Sequence, residues 1–189
     1  MEGKIVMMGK TEKGKDITIR YPKKEDLNIM WEYINTLSKE PTFIRYRGEE
    51  ISLEEEEKFL TQTLEQIINK KGIFLLVFYQ RKLIGASGIT LKTNIEKHLG
   101  VFGITIAKEY RGEGIGSMLM QTVIEEAIKN LPGLEIIELG VYAENDLAKQ
   151  MYTKFGFVQF GVLPKGIKKE DGYSDQIFMY KEVKNETAN

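Results

Sequence analysis

The sequence predicts an α/β fold of the mixed α+β kind, with seven strands and about four flanking helices. The first observation is the order of the segments. Runs with the alternation of strands and runs with the spacing of helices follow one another as β-α-α-β-β-β-α-β-α-β-β. The second is the stretch 99–128, where an apolar β-branched run ends in a glycine-rich turn and an apolar helical pattern follows. The rest of the chain is organised around this strand, turn and helix.

The length and composition are those of a globular protein. A chain of 189 residues is expected to form a single domain, 1–189, with a core at about 16–183. The formal net charge of −1 provides no overall electrostatic attraction for nucleic acid or an anionic membrane. No apolar run has the roughly 18 residues of a membrane span, and the N-terminus lacks a signal-peptide core. A cytoplasmic location is therefore expected.

The residue types present restrict the chemistry. There is no cysteine, which excludes disulfides, thiolate metal sites and an acyl-cysteine intermediate. The single histidine, His98, cannot form a histidine metal cluster, and no metal is expected. If the protein moves acyl groups, direct transfer between two bound substrates is favoured.

Each predicted element has a local signal. The first helix, 24–37, has apolar residues at helical spacing, and the second begins with a capping box at Ser52 and Glu55. Residues 1–15 are polar and glycine-containing and are predicted to be a frayed lead-in, whereas the lysine-rich segment 164–172 is predicted to be a loop. The strands are predicted at 16–21, 73–79, 83–91, 101–106, 135–142, 157–163 and 173–180, and a short last helix at 146–155.

The glycine-rich turn is the first candidate site. A strand, a glycine turn and a helix start together form an anion site, because glycine lets the backbone approach a ligand and the first helical N–H groups point at it. The phosphate loop of nucleotide hydrolases does not fit, because no lysine follows Gly116, and the glycine spacing is not that of the dinucleotide fingerprint. A glycine turn without a ligand is the alternative.

The turn Arg111-Gly112-Glu113-Gly114-Ile115-Gly116 does match the pattern Q/R-x-x-G-x-G/A. It resembles the acyl-CoA pyrophosphate loop of the GNAT superfamily of N-acetyltransferases. A second motif supports the resemblance, because the stretch 141–157 is similar to the GNAT pattern V-x-x-x-N-x-x-A-x-x-x-Y-x-x-x-G-F. The matching residues are Val141, Asn145, Ala148, Tyr152, Gly156 and Phe157.

The resemblance implies a GNAT fold over essentially the whole chain, with a mixed, mostly antiparallel sheet that is splayed between strands 4 and 5. Acetyl-CoA would lie in that splay as co-substrate. Backbone groups of strand 4 would pair with the pantetheine arm, and the amide near Ile106 would polarise the thioester carbonyl. Glu113 would have to point outward, away from the pyrophosphate. The implied cofactor-binding residues are Ile104, Thr105, Ile106, Arg111, Gly112, Glu113, Gly114, Ile115, Gly116, Ser117 and Asn145.

Two proton transfers are required by this chemistry. The departing thiolate benefits from a phenolic donor, and Tyr152 is that donor by its family position; a core aromatic is the alternative. The general base has no counterpart at the family position, because many relatives place a glutamate where this chain has Val141. Glu138 keeps the face of Gly140 but lies two residues back. Either Glu138 or water is expected to take the amine proton.

The acceptor site is predicted near the last hairpin. Its ending resembles the GNAT branch that acts on small amines, amino acids and ribosomal-protein N-termini, which places Tyr173 and Asp175 near the acceptor. Asp175 could attract a cationic amine, and the loop 43–48 could form a wall of the pocket.

The implied function is therefore an acetyl-CoA-dependent N-acetyltransferase with a small amine or amino-acid derivative as acceptor. A protein N-terminus or lysine side chain is the alternative acceptor. A non-catalytic CoA-binding module is the alternative of another class. No nucleic acid or membrane partner is expected, and a homodimer is left open.

Overall fold

Eight strands and four α-helices are present in the part of the chain that the computed structural model describes, residues 1–40, 43–44, 46 and 48–183. The strands are β1 Ile5–Lys10, β2 Asp16–Arg20, β3 Gly72–Tyr79, β4 Lys82–Leu91, β5 Leu99–Ile106, β6 Ile136–Tyr142, β7 Val158–Lys169 and β8 Gly172–Glu182. The helices are α1 Leu27–Ser38, α2 Leu53–Ile68, α3 Ile115–Asn130 and α4 Asp146–Lys154. The strands form one open sheet in the order β1-β2-β3-β4-β5-β6-β8-β7, which confirms the predicted fold class with one additional strand.

The chain forms two compact units, and β5 passes from one to the other. The first unit contains Met1–Thr90 and Gly103–Pro132. The second contains Leu91–Phe102 and the residues from Gly133 onward. That these units fold together as one domain, 1–189, stays a prediction.

The core of the first unit forms where α1 and α2 pack with β3 and β4. The predicted capping box opens α2: Glu55 N–H donates to Ser52 Oγ at 3.2 Å, and Ser52 N–H donates to Glu55 Oε2 at 2.8 Å. Burial of each large apolar side chain stabilises the fold by about 1.5–3 kcal/mol. The buried cluster consists of Met30, Leu60, Leu64, Leu76, Phe78 and Leu83.

The predicted frayed lead-in is wrong, because β1 lies inside it. β1 pairs antiparallel with β2, from Ile5 opposite Arg20 to Lys10 opposite Asp16. The strand is an edge strand with much exposed apolar surface, and Met8 is 74% exposed. An exposed edge does not need the alternation of a half-buried strand, so β1 has no clear pattern in the sequence.

The second unit contains the C-terminal strands. β6 pairs antiparallel with β8, and β8 pairs antiparallel with β7. The pairing of β5 with β6 is parallel and covers only Leu99–Val101 opposite Ile136–Glu138. These are strands 4 and 5 of the sequence prediction, and the short register agrees with the predicted splay.

The predicted lysine-rich loop 164–172 is strand for most of its length. β7 continues to Lys169 and pairs Ile167 with Ser174 of β8, after a register shift between Leu163 and Ile167. The shift accommodates the proline and glycine of this segment, which mark irregular backbone rather than the end of the strand.

Glu56 generates a prediction about stability. This residue lies in the first turn of α2, is 5% exposed, and burial raises the pKa of its carboxyl to about 7. Because the folded pKa is above the unfolded one, the folded state holds the proton longer. The contribution of Glu56 to the free energy of unfolding should therefore be full below about pH 4.5 and fall by about 3 kcal/mol as the pH rises through 7.

The test compares wild type with Glu56→Gln, whose neutral amide removes this titration. We expect Glu56→Gln to melt at a higher temperature than wild type at pH 8 and to lose that advantage at pH 4. An equal difference in melting temperature at both pH values would contradict the prediction.

Candidate active site

The glycine-rich turn has the backbone of an anion site. A short 3-10 turn, Lys108–Tyr110, leads through Arg111 to Gly112 at φ 69° and Gly114 at φ 77°. These left-handed values favour glycine, which has no Cβ to clash. α3 begins directly after Gly114, and no side chain in the described part of the chain caps it. Gly116 and Ser117 in this first turn are at least partly exposed, so their N–H groups are available to an anion.

The two left-handed glycines face different surroundings. A Cβ added at Gly112 would have no protein atom within 4 Å, so Gly112 borders open space. A Cβ added at Gly114 would lie 2.9 Å from Glu12 Oε1, in the turn between β1 and β2. Gly112 therefore allows a ligand to approach the backbone, and Gly114 allows the first hairpin to do so.

Glu113 does not point outward to solvent as the sequence interpretation required. Its side chain is buried and accepts hydrogen bonds from Lys15 Nζ at 2.5 Å and Thr11 Oγ1 at 3.2 Å. Lys13 Nζ lies 3.5 Å from Glu113 Oε1. The hydrogen bond from Lys15 holds the pKa of Glu113 below its ordinary value. The carboxylate thus connects the glycine-rich turn to the β1–β2 hairpin, and the nearby lysines compensate its charge.

The side chain of Arg111 is directed back along the chain. Its Nε donates to Ile106 O at 2.8 Å, and a terminal guanidinium nitrogen lies 2.5 Å from Glu40 Oε2. Glu40, two residues beyond the end of α1, was not predicted. It has no local sequence signal, because its partner lies 71 residues away in the chain.

The end of β5 is fixed by a second contact with α1. Tyr33 Oη donates to Thr105 Oγ1 at 3.0 Å, and Thr105 Oγ1 donates to Ala86 O at 3.4 Å. Tyr33 was also missed by the sequence interpretation. Both Tyr33 and Glu40 line a groove of about 660 Å³ between α1 and the β3–β4 turn, which is not the site that the motifs predict.

The second unit holds Asn145 and Tyr152. Asn145 caps α4, with its Oδ1 accepting from Ala148 N–H at 3.2 Å. Tyr152 is buried, and its ring centroid is 6.0 Å from those of Phe102 and Phe157. Burial raises the pKa of Tyr152 to about 12, so its hydroxyl keeps its proton at neutral pH.

The remaining predicted site residues have structural partners. Glu138 Oε1 lies 2.8 Å from Lys92 Nζ, and this contact raises the pKa of the lysine. Asp175 Oδ1 accepts from the backbone N–H of Lys165 at 2.8 Å, at the irregular part of β7. Tyr173 is 56% exposed. To act as the base, Glu138 would have to give up its ion pair with Lys92. To bind the acceptor, Asp175 would have to give up its hydrogen bond with Lys165.

Other predictions concern the loop 43–48, metals and membranes. Arg45 and Arg47 lie outside the described residues. Among residues 1–40, 43–44, 46 and 48–183, no three acidic or histidine side chains form a group that could hold a metal ion. No described helix combines the length and apolar character needed to cross a membrane.

A comparison with known families decides the classification. The model of the acetyltransferase (GNAT) family matches residues 31–157, which is more than half of the chain. The chain belongs to this family. The matched segment includes both the glycine-rich turn and the Asn145–Tyr152 helix, the two motifs on which the resemblance was based.

Individual GNAT relatives agree with this classification. The chain is 30% identical to a GNAT acetyltransferase of Streptococcus pneumoniae, with a TM-score of 0.81 over 88% of this chain and 99% of the other. Salmonella typhimurium YncA, solved with its cofactor acetyl-CoA, has the same fold at 17% identity, with a TM-score of 0.76 over 91% and 96% of the chains. The Escherichia coli L-amino acid N-acetyltransferase AaaT is 32% identical over 43% of this chain and 50% of its own. The chain spans about half the length of the curated relatives it matches.

Proposed function

We propose that this GNAT chain is an acetyl-CoA-dependent N-acetyltransferase that moves the acetyl group to a primary amine within a ternary complex. The observation that carries the proposal is the uncapped start of α3, preceded by two left-handed glycines. A pyrophosphate needs several N–H donors and space for its oxygens, and the turn at Gly112 offers both. The presence of acetyl-CoA in the YncA structure supports the same ligand here.

The proposed binding residues belong to the turn and to β5. Main-chain N–H groups between Arg111 and Ser117 would hold the pyrophosphate. The side chains of these residues would therefore contribute little to pyrophosphate binding. Backbone groups of Ile104 and Ile106 would pair with the pantetheine arm as an added strand. Asn145 Nδ2 is a further donor proposed from the family pattern.

In the reaction, the amine nitrogen forms a bond to the acetyl carbon, the carbon–sulfur bond breaks and the sulfur finally takes a proton. We propose that the Tyr152 hydroxyl lies against the departing sulfur. Its pKa of about 12 lies above the pKa of about 8.5 of a thiol, so a complete proton transfer would cost about 5 kcal/mol. We propose that Tyr152 acts as a hydrogen-bond donor to the developing thiolate, which then takes its proton from water.

The amine proton also has to leave. Glu138 is held by Lys92 at 2.8 Å, and a carboxylate in an ion pair is a weaker base than a free one. We therefore favour water as the route for this proton, and Glu138 as base stays a prediction. For the acceptor we propose a small amine or an amino acid, which the named activity of the relative AaaT supports.

The first prediction from the proposed function concerns acetyl-CoA binding. At 100 times its Kd a ligand stabilises the folded state by about 2.7 kcal/mol, which should raise the melting temperature by about 5–10 °C. Gly112→Ala should abolish most of this rise, because its methyl group would occupy the open space at the turn.

The matched control is Gly133→Ala, since Gly133 also has a left-handed φ, 81°, and open space around a Cβ. The 16 residues of α3, about 24 Å of helix, lie between the two positions in the chain. Both variants should melt slightly lower without ligand, and only Gly133→Ala should keep the full response. An unchanged melting curve of wild type with acetyl-CoA would remove the proposal.

The second prediction concerns the reaction itself. With acetyl-CoA, thiol release should require an amine, and a screen of amino acids, polyamines and N-terminal peptides should identify the acceptor. Because the chain has no cysteine, acetyl-CoA alone should leave the mass of the protein unchanged. A stoichiometric acetyl adduct that an added amine removes would contradict direct transfer. Turnover of peptides but not of small amines would select the alternative acceptor.

The third prediction concerns Tyr152. Tyr152→Phe keeps the ring contacts with Phe102 and Phe157 but removes the hydroxyl, so kcat should fall by about 10²–10³-fold, the effect of losing one preorganised hydrogen-bond donor. The Kd of CoA and the KM of the amine should change little. Tyr180→Phe is the control, because this ring also packs against an aromatic neighbour, Phe160. Equal kcat for wild type and Tyr152→Phe from pH 6 to 9 would show that Tyr152 is only a core aromatic.

A further inference from the structure

The end of β5 presents backbone groups on two sides. Gly103 O accepts from Ser87 Oγ at 2.8 Å, and Ala107 N–H donates to Ile84 O at 2.9 Å, so both residues face β4. Successive residues of a strand direct their backbone groups to opposite sides. The N–H and C=O groups of Ile104 and Ile106 therefore face away from β4.

Arg111 binds one of these outward-facing groups, the carbonyl of Ile106. Its Nε donates to Ile106 O at 2.8 Å. The peptide between Ile106 and Ala107 is thus held at both ends, by Arg111 at the carbonyl and by Ile84 at the N–H. A peptide fixed in this way also limits the rotation of Ile106, and with it the direction of the Ile106 N–H.

Glu40 sets the position of Arg111. Its Oε2 lies 2.5 Å from a terminal guanidinium nitrogen, and its Oε1 accepts from the backbone N–H of Lys108 at 3.2 Å. One carboxylate therefore holds both the guanidinium and the start of the 3-10 turn. The planar guanidinium reaches the carbonyl through Nε and the carboxylate through a terminal nitrogen, whereas the donors of a lysine all share one nitrogen and cannot keep that spacing.

We propose that Glu40 and Arg111 are positioning residues that keep the Ile106 N–H directed at the thioester oxygen of acetyl-CoA. The inference rests on the proposed function and assigns the Arg111 side chain to the acyl end of the ligand. Its guanidinium contacts Ile106 O and Glu40, and the proposal assigns the pyrophosphate to the main-chain N–H groups of the turn. The amide then meets the growing negative charge on the oxygen without having to reorient, which is where such donors accelerate acyl transfer.

The experiment compares two ligands that differ only at the thiol end of the pantetheine arm. One is CoA with its free thiol, and the other is an unreactive ketone analogue of acetyl-CoA that keeps the carbonyl oxygen. Their Kd values are measured by calorimetry for wild type, Glu40→Gln, Arg111→Met and Arg111→Lys, together with kcat. Each variant should weaken the ketone analogue by about 3–10-fold more than CoA, the effect of one hydrogen bond. The kcat should fall by about 10–10²-fold.

Two variants make the outcome decisive. Arg111→Lys keeps the positive charge, so it should resemble Arg111→Met if Arg111 positions Ile106 and should resemble wild type if the charge serves the phosphates. Asp26→Asn is the matched control, because Asp26 forms a similar pair with Arg20 at 2.6 Å. It should lower the melting temperature but leave the ratio of the two Kd values unchanged.

Equal weakening of CoA and the ketone analogue in Arg111→Met, with recovery in Arg111→Lys, would overturn the inference. So would an unchanged Kd ratio and kcat in Glu40→Gln. Wild-type protein that binds neither ligand would instead reject the proposed function itself.

Discussion

The glycine-rich turn depends on the hydrogen bonds that the buried Glu113 carboxylate accepts from the first hairpin. The carboxylate accepts these hydrogen bonds from Lys15 and Thr11, in the hairpin formed by the first two strands. A second contact, from Glu12 N–H to Glu113 O at 3.1 Å, joins the same segments through their backbones. Because a buried charge without partners is costly, the hairpin and the turn must be correct together. The contacts between the hairpin and Glu113 therefore fix the arrangement of the N–H groups at the start of α3.

Two acidic residues for which the sequence predicted a role in the reaction, Glu138 and Asp175, have other partners in the structure. Glu138 pairs with Lys92, and Asp175 accepts from the backbone of Lys165. Glu40, which carried no motif, lies against Arg111 and Lys108 instead. The proposed chemistry therefore relies on backbone amides and one tyrosine hydroxyl. Amides fixed in a folded backbone need no reorganisation when charge develops, which suits a reaction whose main demand is placement.

Local patterns were sufficient for much of the fold and for part of the candidate site. The glycine spacing predicted the backbone of the turn, and the second motif predicted a helix, α4, that Asn145 caps and that contains Tyr152. β1 was missed because an exposed edge strand has no hydrophobic alternation. Glu40 and the direction of Glu113 were missed because their partners are 71 and 98 residues distant in the chain. Spacing within a segment contains no information about such contacts.

The connection between Lys15 and Glu113 also constrains how the sequence can diverge. A neutral residue at position 15 would leave the buried acid with fewer donors, and a neutral residue at position 113 would leave two lysines without their shared partner. The loss of Lys15 alone is the costlier change, because it weakens the hydrogen bonding of a buried carboxylate, whereas the two positions can change together. Among homologues, positions 15 and 113 should therefore covary, and the first hairpin should evolve in step with the glycine-rich turn although no motif joins them.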